Sequence, residues 1–124
     1  MFKKIGFLVA LALVLTSVSV IAAPIVPLYV PVEVDLEPEH QYVTFPNTED
    51  QYFDGEWAGG QTDVYYVVMD YDDGDDYRYY TSGKNGHYTH HYDIDFIPLG
   101  YKWHPELTVS NGNTDSDSVI VEFY

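Results

Sequence analysis

The sequence has no cysteine. Disulfides, thiolate catalysis and Cys-type zinc sites are therefore excluded. Cations are scarce too: five Lys+Arg stand against 20 Asp+Glu, a formal net charge of −15. A surface of that sign repels phosphate backbones and anionic membranes, which excludes nucleic acid as the natural partner. No Gly-rich phosphate cradle, G-x-S-x-G elbow or H-E-x-x-H pattern occurs in the chain, so no reaction has a motif behind it and the expectation is that the protein is not an enzyme. Amphipathic helical periodicity is missing after residue 24. What is present is apolar and aromatic: 46% hydrophobic residues and 13 tyrosines. That richness excludes a disordered chain, and 124 residues suit one domain.

The first residues read as an address. Met1-Phe2-Lys3-Lys4 precedes an apolar run from Ile5 to Leu15, which ends in small residues through Ala22 and Ala23. A positive start, an apolar stretch and a small-residue end predict a secretory signal peptide over 1–22, helical while it acts. A retained membrane helix, a pilin-type leader cut after Gly6 and a buried core helix compete with it. Without residues 1–22, three basic residues (Arg78, Lys84, Lys102) face 20 acids, a net of −17. Export without disulfides leaves stability to the core or to bound ions.

The rest reads as short strands. Residues 23–40 form an extended N-terminal arm or edge strand, because Pro24, Pro27 and Pro31 remove ladder donors while Val32, Val34 and Leu36 alternate with Glu33 and Asp35. Tyr42–Phe45 is a second strand, and 47–62, with Gly55, Gly59 and Gly60, reads as loop. Val64–Met69 is apolar on both faces and suits a central strand. Tyr77–Thr81 and His87–Tyr92 flank Asn85-Gly86, a tight-hairpin signal. Trp103–Val109 and Ser118–Tyr124 close the chain. The pattern predicts an all-β sandwich.

Specific residues carry a resemblance. Met69-Asp70-Tyr71-Asp72-Asp73-Gly74 resembles the W-D-F-G-D-G turn of PKD (polycystic-kidney-disease-type) domains. His90-His91-Tyr92 resembles their H-x-Y, and Gly100-Tyr101 with Leu107-Thr108-Val109-Ser110-Asn111-Gly112 resembles their tail, with Ser118–Val121 where a closing strand falls. Met69 stands for the family's Trp and Asp72 for its first Gly. The resemblance implies an immunoglobulin-like antiparallel β-sandwich over 41–124, of a kind that serves as extracellular adhesion, spacing or carbohydrate-associated modules without catalysis.

Candidate sites follow from residue chemistry. Asp70, Asp72, Asp73, Asp75 and Asp76 crowd one turn and could supply the oxygen ligands that Ca²⁺ takes, although the EF-hand template does not fit. No other cofactor is required. His87 and His91 share a strand face about 13 Å apart, too far to chelate one ion by themselves. Trp57, Tyr79 and Trp103 are candidate stacking residues for a sugar or a protein partner. The sequence thus points to a secreted or cell-surface adhesion, binding or structural module, with carbohydrate, protein or copies of itself as partner, and no membrane contact after leader removal. The alternative is a filament or matrix subunit that donates residues 23–36 as a strand, with Ile25, Leu28, Val30, Val32 and Val34 as assembly residues, or a pilin-like subunit that keeps its helix.

Overall fold

The computed structural model describes residues 30–124. The leader, Ile25 and Leu28 lie outside them. The ten strands are β1 (Val30–Glu37), β2 (His40–Val43), β3 (Gln51–Gly60), β4 (Tyr65–Asp70), β5 (Asp76–Thr81), β6 (Asn85–His90), β7 (Lys102–Trp103), β8 (Glu106–Ser110), β9 (Thr114–Ser118) and β10 (Ile120–Phe123). No helix occurs among the described residues, so the all-β expectation holds there. They form three sheets, ordered β1-β3-β6, β2-β10-β7 and β5-β4-β8-β9. All pairings are antiparallel except β2 with β10.

Alternation builds the core. Val32, Val34 and Leu36 of β1 are buried, as are Phe53 and Trp57 of β3, Val67 and Met69 of β4, and Leu107 and Val109 of β8. Each set sits at period two, which puts it on one face of its strand. Val43, Val121 and Trp103 bring the second sheet into the same cluster. Burial of this kind contributes roughly 25 cal/mol for each Å² of apolar surface removed from water.

The segment 47–62 corrects the loop reading: most of it is β3, the longest strand. Its glycines serve close approach rather than a loop. A Cβ on Gly55 would stand 2.4 Å from Leu107 Cδ2. Gly59 has φ +91° and its added Cβ would meet the Pro31 carbonyl oxygen at 2.1 Å. The Asn-Gly hairpin is also corrected. Asn85 and Gly86 lie inside β6, which pairs with β3, while β5 pairs with β4. The chain changes sheets there instead of turning back. Trp103–Val109 is two strands split by His104-Pro105, and β9, written Thr-Asp-Ser-Asp-Ser, is a strand with no apolar residue to announce it.

The polar strand β9 has a purpose. Asn113 Oδ1 accepts the Val32 N–H at 3.1 Å, Asp115 Oδ2 the Val34 N–H at 2.9 Å, and Asp117 Oδ2 the Leu36 N–H at 2.8 Å. Three side chains at i, i+2 and i+4 therefore satisfy the outer edge of β1, where no backbone partner stands. Gln41 does the same for Tyr52 of β3: its Oε1 accepts the Tyr52 N–H at 3.3 Å and its Nε2 donates to the Tyr52 carbonyl at 2.8 Å. These four acid and amide side chains thus close seams between sheets, because an unpaired edge amide away from water is costly.

Candidate functional site

The acidic turn joins β4 to β5. Four of its five carboxylates have duties inside the chain. Asp70 accepts the Asp72 N–H at 2.9 Å, Asp72 accepts the His104 N–H at 2.8 Å, Asp73 accepts the Asp75 N–H at 3.2 Å, and Asp76 is held by Arg78 at 2.8 Å. Together with Asp75 and Gly74 they line an open depression. Asp73 and Asp75 also come together with His90, a residue no sequence pattern joins to them: one ligand atom of each lies within 4.8 Å of the others. His90 Nε2 is 2.6 Å from Asp73 Oδ2, and its ring stacks on Tyr71 at 4.0 Å and 4°. A set with one imidazole and two carboxylates is chemically closer to borderline divalent ions than to the all-oxygen shell of Ca²⁺.

All five histidines face carboxylates: His40 with Glu122 at 3.3 Å, His91 with Asp50 at 3.2 Å, His104 with Asp72 at 3.9 Å, His90 with Asp73, and His87 with Asp54. Such partners orient the rings. They follow from a strand surface rich in Asp and Glu.

The expected stacking residues are corrected. Trp57 and Trp103 are buried, at 1% and 3% exposure, and offer no face to a ligand. Trp57 Nε1 donates to the Gly83 carbonyl at 2.9 Å. Tyr79 is half-buried and its hydroxyl meets that of Tyr88 at 2.5 Å. Tyr88 and Tyr92 are core residues whose phenols burial pushes well above the usual range, with Tyr79 adding to the first and Asp73 to the second. The Tyr92 hydroxyl donates to the Tyr71 carbonyl at 2.8 Å. Val30, Val32 and Val34, read as assembly residues, lie in β1, which pairs with β3 of the same chain.

Six of the exposed large apolar side chains lie elsewhere, on three segments. Tyr42 and Phe45 flank the end of β2, Phe96, Leu99 and Tyr101 lie on the connection from β6 to β7, and Tyr124 follows β10. Backbone bonds tie these segments to one end of the second sheet. The Tyr124 N–H donates to the Val43 carbonyl at 3.0 Å, the Gly100 N–H to the Phe123 carbonyl at 2.6 Å, and the Phe123 N–H to the Tyr101 carbonyl at 2.9 Å. Tyr42 and Tyr124 meet edge to face at 5.5 Å. Phe45 is 82% exposed, Leu99 and Tyr124 are each 75% exposed, and Phe96 is fully exposed. Phe96 also has φ 64°, a left-handed conformation that is unfavourable for a bulky residue. Its neighbours Ile94 and Ile97 pack on the core and hold it outward. Sequence reasoning missed this end because its residues come from three segments, and Tyr42, Phe45 and Tyr124 read as ordinary strand residues with nothing to mark them as exposed.

No protein-family profile matches the sequence, and no curated protein does. Among solved structures the chain is similar to one concerned with host cell surface retention of a bacterial ice-binding adhesin, at 10% identity and a TM-score of 0.46. The match covers 77% of this chain and 33% of that one, so this chain spans about a third of its length. Among the described residues no helix is long and apolar enough to cross a membrane.

Proposed function

We propose that the protein is a non-catalytic adhesion or binding module, exported to the cell surface or beyond, which engages a surface carbohydrate or protein through its aromatic end. The observation that carries this reading is the exposure of Phe45, Phe96, Leu99 and Tyr124 on segments tied by backbone bonds to one end of the second sheet. Apolar side chains held in solvent on an acidic protein suit a contact surface. The left-handed Phe96 supports it, since a strained residue kept in solvent adds nothing to packing. The PKD-like reading of the turn and tail motifs, and with it the immunoglobulin-like sandwich, is part of the same proposal. So is export behind a cleaved leader.

The test is retention. Fluorescently labelled protein, applied to cells of its own host and to polysaccharide-coated beads, binds, and Phe96→Ala with Phe45→Ser lowers binding by about tenfold without lowering the melting temperature. Equal retention of that double variant defeats the reading. Mass spectrometry of the exported protein is expected to find Ala23 at its N-terminus; an intact Met1 contradicts export by cleavage.

A further inference from the structure

The three sheets do not treat their edges alike. At β1 the outward amides of Val32, Val34 and Leu36 are taken by Asn113, Asp115 and Asp117. At β5 nothing comparable happens. Strand β5 ends its sheet, bonded only to β4. Beside the turn, the Tyr71 N–H donates to the Asp75 carbonyl at 3.0 Å. In an antiparallel ladder the bonded pairs recur at every second residue. Tyr77, Tyr79 and Thr81 therefore turn their backbone groups to β4, and Asp76, Arg78 and Tyr80 turn theirs away. Among the described residues no side chain or backbone group bonds these outward groups.

Edges of this kind normally carry a blunting device such as proline, a bulge or a free lysine. Strand β5, Asp-Tyr-Arg-Tyr-Tyr-Thr, has neither proline nor glycine, and its register with β4 runs without a shift. Its one cation is already engaged, since Arg78 Nε and Nη2 both donate to Asp76 Oδ2, at 2.9 and 2.8 Å. Across the seam, β6 belongs to another sheet, and the two strands are linked by side chains only, through the Tyr79–Tyr88 hydroxyl contact. Exposed Tyr77 and Tyr80 flank the edge.

We infer that the β5 edge accepts an extended, basic segment of another protein as an added strand. Backbone bonds to Asp76, Arg78 and Tyr80 supply the pairing. Charge supplies the choice of partner. The strand starts at the Asp70–Asp76 turn of a chain with net charge −15, which opposes a second copy at the same edge and attracts lysine and arginine. The inference rests on the binding-module reading but uses a different surface, so Phe96→Ala leaves it untouched.

The experiment measures binding of a fluorescent octapeptide of alternating lysine and valine to the purified protein by anisotropy. Arg78→Ala keeps the outward N–H and binds at least as well as the native protein. Arg78→Pro removes that one donor while leaving the β4 ladder whole, since proline is tolerated on an edge whose N–H faces outward, and weakens binding by about tenfold. A glutamate–valine peptide does not bind. Equal binding by the proline and alanine variants, equal binding of the two peptides, or no binding by the native protein overturns the inference. So does self-association of the native chain that Arg78→Pro abolishes, because the occupant is then a second copy. Should Arg78→Pro fail to fold by near-UV circular dichroism, a lysine–valine peptide N-methylated at every residue, with no N–H left on either edge, decides on the native protein: undiminished binding overturns the proposal.

Discussion

Asp117 and Leu36 lie 81 positions apart, and the Asp117 carboxylate accepts the Leu36 backbone N–H at 2.8 Å. The bond completes a ladder in which one strand's side chains stand in for another strand's backbone. Removing an acceptor leaves an N–H of a core-facing strand without a partner. Asp117→Ala is expected to cost about 1–3 kcal/mol, and Asp117→Asn distinctly less, because Asn113 already performs the same role with an amide oxygen. Thermal unfolding checks this: for a domain of this size the alanine variant melts roughly 5–15 °C lower. An alanine variant as stable as the native protein contradicts the seam's role.

Glycine 59 offers a second test. Its φ is +91°, and a Cβ there would approach the Pro31 carbonyl to 2.1 Å. Because the obstacle is backbone, no side-chain rotation relieves it. Gly59→Ala is expected to destabilise by more than the roughly 1–2 kcal/mol that a left-handed residue costs by itself. Gly74→Ala is the control, since Gly74 also has positive φ, at +95°, but nothing stands within 4 Å of an added Cβ. Chemical denaturation of both variants separates the clash from the strain.

These same residues show where the sequence could be read and where it could not. Val32, Val34 and Leu36 alternate with acids, and that pattern placed a half-buried strand correctly. Strand β3 was hidden because Gly55, Gly59 and Gly60 carry a loop signal, whereas Gly55 is small to make room for Leu107. Strand β9 was hidden because the side chains it turns to β1 are carboxylates, which hydropathy reads as solvent. Asn85-Gly86 advertised a hairpin that tertiary pairing overrode, with β6 drawn to β3. Of the candidate site, the Asp70–Asp76 turn was legible as a cluster, but its union with His90 depends on sheet geometry. Burial decided the fate of Trp57 and Trp103, and aromatic identity by itself does not reveal burial. The aromatic end is assembled from three segments by backbone bonds, which no local pattern displays.

The buried phenols are expected to limit the fold on the alkaline side. Desolvation raises Tyr88 and Tyr92 most, and it also raises Tyr65, Tyr71 and Tyr79. A phenol whose native value lies above its unfolded value binds its proton more tightly in the fold. Its contribution is therefore complete below the unfolded value of about 10 and is lost as pH rises from there through the native values. Phenolate absorbance of the native protein should show a late component that appears together with loss of near-UV circular dichroism. In denaturant all 13 tyrosines should titrate in one phase. A native titration identical to the denatured one contradicts the burial.

Tyr92 allows the corner between strands to be tested atom by atom. Its ring is 1% exposed and lies 4.7 Å from the Trp103 ring, and its hydroxyl donates to the Tyr71 carbonyl at 2.8 Å. Tyr71 in turn stacks on His90, which Asp73 holds, so one hydroxyl fastens the base of the acidic turn. Tyr92→Phe keeps the packing and deletes only the donor. The expected loss is about 1 kcal/mol, the net worth of one such bond plus part of the cost of an unpaired carbonyl. Tyr92→Ala also opens a cavity beneath Trp103 and is expected to cost about 3–5 kcal/mol, enough to threaten folding. The Phe variant carries a second, local signature: amide exchange at Tyr71 and across the 72–76 turn should quicken distinctly more than exchange in β8, which follows only the global loss. Quickening spread evenly over the whole molecule would mean that Tyr92 acts only through global stability and does not anchor the turn.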